Sequence, residues 1–267
     1  MSDWRNMDLW YTVLPPSRPT VAELRRIEEY IVGISRQEPV AILGCTPEFR
    51  DLLSQMGFEQ RYIFDISVDF YQRMTTLLPV NVKSGEHLVV GEWIDSLRKF
   101  ESYFSVVLSD LTMGNIPYDK QRDFYSAISG SIRDGGVFID KVLAFDFPVP
   151  TLSDLFAKYE KLPINLRTIN DFSSEVLFCS ELVTEQNVVD SSKFYEIIRE
   201  GAYSEKIKFF ADAAHMITPE GFTWSYGKKW DELKDAYGEF YSSQKVFAEE
   251  DPGSPYYHRT KQFFNIK

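Results

Sequence analysis

The sequence predicts an α/β fold: a doubly wound, mostly parallel sheet with a C-terminal antiparallel hairpin and a helical insertion. Three observations carry that expectation. From Pro39 onward, short apolar runs alternate with stretches of helical period, which is how strands buried on both faces and their crossover helices read in sequence. The alternation stops near residue 150, where helix-like blocks follow one another with no convincing strand. It then resumes as one amphipathic helix and two strand-like segments at the C-terminal end.

Each element has its own signal. Thr20-Val21-Ala22-Glu23 reads as a capping box, in which the Thr side chain and the Glu each satisfy an orphan backbone donor. Val21, Leu24, Ile27, Ile31 and Ile34 then recur at helical spacing. Val40-Ala41-Ile42-Leu43 is a first strand ending at Gly44, and residues 48–56 are helical up to Gly57. Tyr62-Ile63-Phe64 ends in Asp65, and residues 67–78 form a helix stopped by Pro79. Leu88-Val89-Val90 runs into Gly91-Glu92, and the strand at 104–108 runs into Ser109-Asp110. A helix over 118–133 precedes the turn Asp134-Gly135-Gly136 and the strand Val137-Phe138-Ile139. Residues 224–241 read as a last amphipathic helix. Gln244-Lys245-Val246-Phe247, the Pro- and Gly-rich turn at 251–255 and the alternating segment 259–266 then make a closing hairpin. The expected organisation is an N-terminal helical segment at 1–37 and an α/β core at 38–149. A helical insertion at 150–222 and the final helix and hairpin at 223–267 complete it.

Composition narrows the function classes. The chain has 267 residues, which at ~100–200 residues per domain is one large domain or one with a sizeable insertion. Its 29 Lys and Arg against 40 Asp and Glu give a formal charge of −11, which disfavours a nucleic-acid substrate held through its phosphates. No run approaches the ~18 apolar residues of a membrane span, and the N-terminus has no basic flank followed by an apolar stretch. Cys45 and Cys179 are far apart and fit no metal-ligand spacing. The expectation is a cytoplasmic protein without metal, membrane or nucleic-acid partners.

Ligands of open parallel sheets bind beyond the carboxyl ends of the strands. The candidate binding residues are therefore Gly44, Cys45, Thr46 and Pro47 after the first strand, Asp65, Ile66 and Ser67 after the second, Gly91, Glu92 and Trp93 after the third, and Ser109, Asp110 and Leu111 after the fourth. Asp65 follows Gly44 by 21 residues, the interval at which an acid at the next strand's end meets ribose hydroxyls. Glu92 beside Trp93 suits an adenine, one accepting from its amino group and the other covering the ring.

With these strand ends in place, the segment 38–144 resembles the class I S-adenosylmethionine-dependent methyltransferases, and the hairpin at 244–267 agrees. Gly44-Cys45-Thr46-Pro47-Glu48 is similar to a variant first motif in which a Thr-Pro-Glu segment replaces the glycine-rich turn. Phe64-Asp65, Gly91-Glu92-Trp93, Leu108-Ser109-Asp110 and Asp134-Gly135-Gly136-Val137 match the later motifs. The resemblance implies that S-adenosyl-L-methionine is the cofactor, with Asp65 on the ribose and Glu92 on the adenine. Gly44 to Thr46 and Ser109 to Asp110 would surround the methionine part. The chain departs from the usual first motif at Ile42, Thr46 and Glu48, which leaves a single glycine. That departure disfavours a dinucleotide, whose pyrophosphate needs close backbone approach; S-adenosylmethionine has no phosphate.

The implied reaction is in-line transfer of a methyl group to a nitrogen or oxygen of a small molecule, accelerated mainly by positioning. Asp110 is the positional candidate for a base, with a cofactor or helix-cap role as its alternative. His215, on an apolar helix, is the second candidate. Tyr11, in an aromatic N-terminal segment able to act as a lid, and Tyr118 are the candidate substrate contacts. Two other readings stay open: a catalytically silent S-adenosylmethionine-binding regulatory or partner subunit, and another sulfonium-cofactor reaction on the same fold. The aromatic termini suit a homodimer interface as well as a lid.

Overall fold

The computed structural model describes Trp10, Val13 and residues 17–79, 82, 84–143, 149–184, 188–215, 217–225, 230–248 and 259–267. In chain order the elements are α1 (Val21–Ile31), β1 (Val40–Leu43), α2 (Pro47–Gln55), β2 (Arg61–Asp65), α3 (Val68–Thr76), β3 (Glu86–Val90), α4 (Trp93–Leu97), β4 (Phe104–Asp110), α5 (Gln121–Ser131) and β5 (Ile132–Leu143). There follow α6 (Leu152–Tyr159), α7 (Leu166–Val176), β6 (Val188–Asp190), α8 (Ser191–Glu200), α9 (Glu205–Ala214), β7 (Thr223–Ser225), α10 (Trp230–Gly238), β8 (Ser243–Ala248) and β9 (Thr260–Ile266). The main sheet has the order β3-β2-β1-β4-β5-β9-β8. β1 to β5 are parallel, and β9 runs antiparallel to both β5 and β8. The chain thus builds outward from β1 in one direction, then restarts beside β1 with β4, so a crevice opens at the carboxyl ends of β1 and β4.

The strands are apolar throughout because both faces of the sheet are covered. Ala41, Leu43, Phe64, Val107 and Phe138 pack against Leu97 of α4, Phe124 and Ile128 of α5 and Leu233 and Tyr237 of α10. Val40, Ile42, Ile63, Val106 and Ile139 face the other way, onto Ile27 and Ile31 of α1, Phe49 and Leu53 of α2 and Met74 of α3. Alternate residues of one strand therefore serve opposite cores. The α1 capping box forms as expected: Thr20 N–H donates to Glu23 at 2.7 Å, and Glu23 N–H donates to the Thr20 hydroxyl at 3.1 Å. Helices α6 to α9 enclose a third apolar cluster around Phe172, which touches Phe194 and Phe210 and reaches the sheet through Leu111 and Leu143.

Three expectations change in the structure. The helix expected over 118–133 is a 3-10 turn at Tyr118–Lys120 followed by α5, and β5 starts already at Ile132. The Asp134-Gly135-Gly136 turn lies inside that strand as an irregularity, with Gly135 at φ +74° and its N–H donating to Lys267 C=O. The helix expected over 224–241 is only α10, since Thr223–Ser225 is a strand. It pairs with Val188–Asp190, so the helical insertion contains a small antiparallel ladder that ends at Ser225. The expected turn at 251–255 lies outside the described residues.

One buried carboxylate makes stability depend on pH. Asp140 on β5 is fully buried and accepts from the Tyr237 hydroxyl at 2.7 Å. Burial pushes its carboxyl up to about 7, and the Tyr237 hydrogen bond offsets this only in part. The folded chain therefore holds a proton that the unfolded chain releases between about pH 4 and about pH 7. This contribution is present below that window and is lost as the pH rises through about 7. Asp140→Asn keeps an acceptor for Tyr237 and removes the titration. Its urea midpoint is expected to fall less than the native chain's between about pH 5 and about pH 8.

Candidate cofactor and acceptor cleft

A cleft of about 1150 Å³ lies over the carboxyl ends of β1 to β4. Gly44 leaves β1 at φ +88°, a region that favours glycine, and its N–H donates to Phe64 C=O at 2.8 Å. Pro47 then enters α2 at its first turn, where its missing N–H costs nothing. Thr46 makes no side-chain cap bond and lines the cleft with Gly44 and Cys45.

Asp65 ends β2 with its carboxylate on the cleft wall. Oδ1 accepts from Ser67 N–H at 2.8 Å and Oδ2 from the Cys45 thiol at 3.2 Å. Burial raises the Asp65 carboxyl above its ordinary value, against the lowering effect of those two donors. Burial and then the Asp65 charge push the Cys45 thiol far up, so it stays protonated and serves as a donor. Each carboxylate oxygen keeps a second lone pair for a ligand hydroxyl.

Gly91 at φ +146° turns the chain after β3. That backbone conformation favours glycine, and a Cβ there would also push on the Ser96 hydroxyl, 2.9 Å away. Glu92 follows, exposed and without a side-chain cap bond, at the start of α4. Trp93 both lines the cleft and packs in the core. Its Nε1–H donates to Phe64 C=O at 2.8 Å and its ring lies 6.4 Å from Phe124, which holds the indole at one edge of the cleft.

At the end of β4, Asp110 is 5% exposed and on the cleft wall, while Ser109 is buried and does not line it. Lys141 Nζ on β5 lies 3.6 Å from Asp110 Oδ1 and 3.1 Å from Glu23 Oε1 on α1. Burial pushes the Asp110 carboxyl up to about 7; Lys141 opposes the shift, and Glu23 and Glu48 add to it. Leu111 then turns the chain in the left-handed region at φ +56°. For a non-glycine residue this costs on the order of 1–3 kcal/mol, a strain found where site geometry is imposed. Thr112 closes the crevice by donating to Leu43 C=O at 3.3 Å.

The far end of the cleft is built from residues that the sequence reading did not single out. Trp224 on β7 lies against Gly114, where an added Cβ would fall 1.9 Å from the indole. Thr223, Ser225 and Val188 line the cleft as well, as do Asn115, Asp119 and the expected Tyr118. Trp224 had read as the start of a helix; the Pro219-Glu220-Gly221 turn before the β-prone Phe222-Thr223-Trp224 was the available signal. From the N-terminal side Trp10 and Ser17 reach the cleft. Trp10 Nε1–H donates to Glu48 Oε1 at 3.3 Å, and Arg18 pairs with the same oxygen at 3.5 Å.

Of the expected site residues, the structure gathers Gly44, Cys45, Thr46, Asp65, Ile66, Ser67, Gly91, Glu92, Trp93, Asp110, Leu111 and Tyr118 around one cleft. Pro47 and Ser109 are structural neighbours that do not line it. His215 is a correction. It caps the exposed C-terminus of α9 with its ring 5.1 Å from Tyr195 and has no place on the cleft wall. Tyr11 lies outside the described residues.

Among the described residues no group of three or more His, Cys, Asp or Glu side chains is placed to hold a metal ion, and no helix is long and apolar enough to cross a membrane.

No protein-family model matches the chain, and no curated protein sequence does. Solved structures do. A Rhodobacter sphaeroides protein, provisionally named as a Zn-dependent alcohol dehydrogenase, is 11% identical with a TM-score of 0.58, over 97% of this chain and 94% of that one. The PH0226 protein of Pyrococcus horikoshii OT3 is 14% identical at TM-score 0.50, over 97% of this chain and 98% of its own. A Methanosarcina mazei S-adenosylmethionine-dependent methyltransferase is 14% identical at TM-score 0.49, over 90% and 94%. At such identities the likeness establishes fold alone. The sheet order, the antiparallel hairpin and the cleft at the β1–β4 crevice give this chain a Rossmann-like α/β fold, which the Rhodobacter sphaeroides and Pyrococcus horikoshii structures share.

Proposed function

We propose that the chain is an S-adenosylmethionine-dependent methyltransferase acting on a nitrogen or oxygen of a small molecule. The observation that carries this reading is the character of the cleft. Asp65, Asp69, Glu92, Asp110 and Asp119 line it, and the one base that lines it among the described residues, Arg73, pairs with Asp69 at 2.9 Å. Such a wall repels phosphates and suits a cationic ligand, and one positive-φ glycine at the end of β1 offers no pyrophosphate cradle. The residues present fit the cofactor: Asp65 for the ribose hydroxyls, Glu92 for the adenine edge, and Gly44, Thr46 and Asp110 for the amino-acid part. When bound, S-adenosylmethionine supplies a methyl group on a positively charged sulfur.

The chain's own contribution is to orient and to exclude water. Trp93, fixed by its bond to Phe64, walls the adenine side, while Trp224 and Tyr118 wall the acceptor side. Trp10 covers the crevice from the N-terminal segment. Holding the acceptor in near-attack geometry is worth ~7–11 kcal/mol. Gly114→Ala forces Trp224 off its seat. It is expected to leave S-adenosylhomocysteine affinity unchanged while lowering methyl transfer on the order of tenfold to a hundredfold, read by steady-state turnover.

The net charge of −11 and the carboxylates of the cleft support a small molecule rather than nucleic acid, the buried free Cys45 and Cys179 agree with a reducing cytoplasm, and a homodimer remains part of the proposal. The test is transfer from methyl-labelled S-adenosylmethionine to fractions of a cell extract. Label in the fraction of small molecules is expected. Label in the protein or nucleic-acid fraction would overturn the acceptor class, and no S-adenosylhomocysteine from any fraction would favour a silent binding subunit.

A further inference from the structure

At about 1150 Å³ the cleft exceeds the ~300–1,000 Å³ of a site for one small molecule, so a second ligand has room beside the cofactor. The charge of the cleft says what kind of ligand that is. Five carboxylates line it, and the one lining base among the described residues, Arg73, is paired with Asp69. Asp110 Oδ1 is buried and meets no hydrogen-bond donor among the described residues, so the cleft is short of positive charge before any ligand enters. Bound S-adenosylmethionine brings one net positive charge, since its α-ammonium and α-carboxylate cancel. An excess of negative charge is left, which a cationic acceptor answers and a neutral or anionic one does not. The part of the cleft outside the expected cofactor contacts suits such a cation. β7 packs on the 3-10 turn Thr112–Asn115, and the next turn, Tyr118–Lys120, follows directly after Ile116 and Pro117. Trp224, Tyr118 and Asp119 therefore line the cleft from neighbouring segments. Trp224 is half-buried and held in place, with Gly114 against the indole and the Phe222 ring 5.7 Å away. Tyr118 is 38% exposed, and Asp119 is exposed and in no ion pair among the described residues. Indole and phenol rings attract an ammonium through their faces, and an open carboxylate adds its charge.

We propose that the methyl acceptor is a small organic cation, whose ammonium is held by Asp119 and the rings of Trp224 and Tyr118 while a separate nitrogen or oxygen reacts. This rests on the methyl-transfer reading above and names the class of its acceptor. The two groups are separate because a protonated nitrogen has no lone pair with which to attack. In the transfer, a lone pair of the reacting atom forms the bond to the methyl carbon. The C–S bond breaks with its electron pair going to sulfur, and the N–H or O–H proton of the reacting atom passes to water.

The experiment splits the small molecules of a cell extract on a weak cation exchanger at neutral pH. The retained pool holds the net cations, and the unretained pool holds neutral, zwitterionic and anionic compounds. Each pool is given to the full chain with S-adenosylmethionine, and release of S-adenosylhomocysteine is measured against a control without extract. Release from the retained pool is expected. With that pool limiting, Asp119→Asn is expected to lower the release about tenfold and to leave calorimetric affinity for S-adenosylhomocysteine unchanged. Asp119 is exposed, so the variant keeps the fold, which its thermal midpoint checks. Release from the unretained pool alone, or an Asp119→Asn chain as active as the native one, would overturn the cationic class while the methyl-transfer reading stands. Binding of S-adenosylhomocysteine with no release from either pool would overturn the methyl-transfer reading and this class with it.

Discussion

Asp65→Ala is expected to weaken binding of S-adenosylmethionine and S-adenosylhomocysteine by about 1.5–3 kcal/mol, roughly tenfold to a hundredfold. The carboxylate lies at the end of β2 on the cleft wall, oriented from inside the protein by Ser67 N–H and the Cys45 thiol. Those two bonds fix its direction without using all its lone pairs, so a ribose diol meets a preorganised acceptor. Removing the carboxylate also leaves the buried Cys45 thiol without its acceptor. A Cys45→Ala control, which keeps Asp65, separates that effect and is expected to cost much less affinity. Calorimetry checks both variants, and unchanged affinity in Asp65→Ala would mean that the β2 end does not hold the ribose.

Glu86→Ala is expected to lower folding stability by about 3–5 kcal/mol, the largest single-residue loss foreseen. Glu86 and Arg50 are both fully buried as side chains. Arg50 donates from Nε at 3.0 Å and from an outer nitrogen at 2.7 Å, the bidentate geometry that favours Arg with carboxylate. The Tyr71 hydroxyl donates to the same carboxylate at 3.0 Å, and its ring lies under the guanidinium at 4.5 Å. Alanine at 86 leaves a buried cation and a buried hydroxyl unanswered, whereas the double replacement Arg50→Met with Glu86→Leu is expected to recover most of the loss. Urea unfolding measures both. This pair and Tyr71 join α2, α3 and β3, and α3 lines the cleft with Asp69, Phe70, Arg73 and Met74, so the single variant is also expected to weaken ligand binding.

Much of the α/β core was legible because its signals are local. The capping box at Thr20, the apolar run Val40 to Leu43 and the acid ending β2 each specify their element without help from distant residues. The strand ends that gather at the cleft follow from topology, since parallel strands all deliver their last residues to one edge. The part of the cleft lined by β7 was not legible for the opposite reason. Trp224 sits on a three-residue strand that pairs with Val188–Asp190, and its seat is Gly114, far away in sequence. Neither contact leaves a periodic trace. His215 misled because a lone imidazole on an apolar helix reads the same whether it caps the helix or faces a ligand, and here it caps. The charge sharing among Glu23, Lys141 and Asp110 was equally hidden, as it joins α1, β5 and β4 across the fold.

The most direct test is calorimetric titration of the full chain with S-adenosylmethionine and S-adenosylhomocysteine, with NADH as control. The acidic cleft, with a single glycine in the turn after β1, predicts saturable micromolar binding of both adenosyl compounds and none of NADH. Binding of NADH alone, or of none of the three, would contradict the methyl-transfer account and leave only the fold standing.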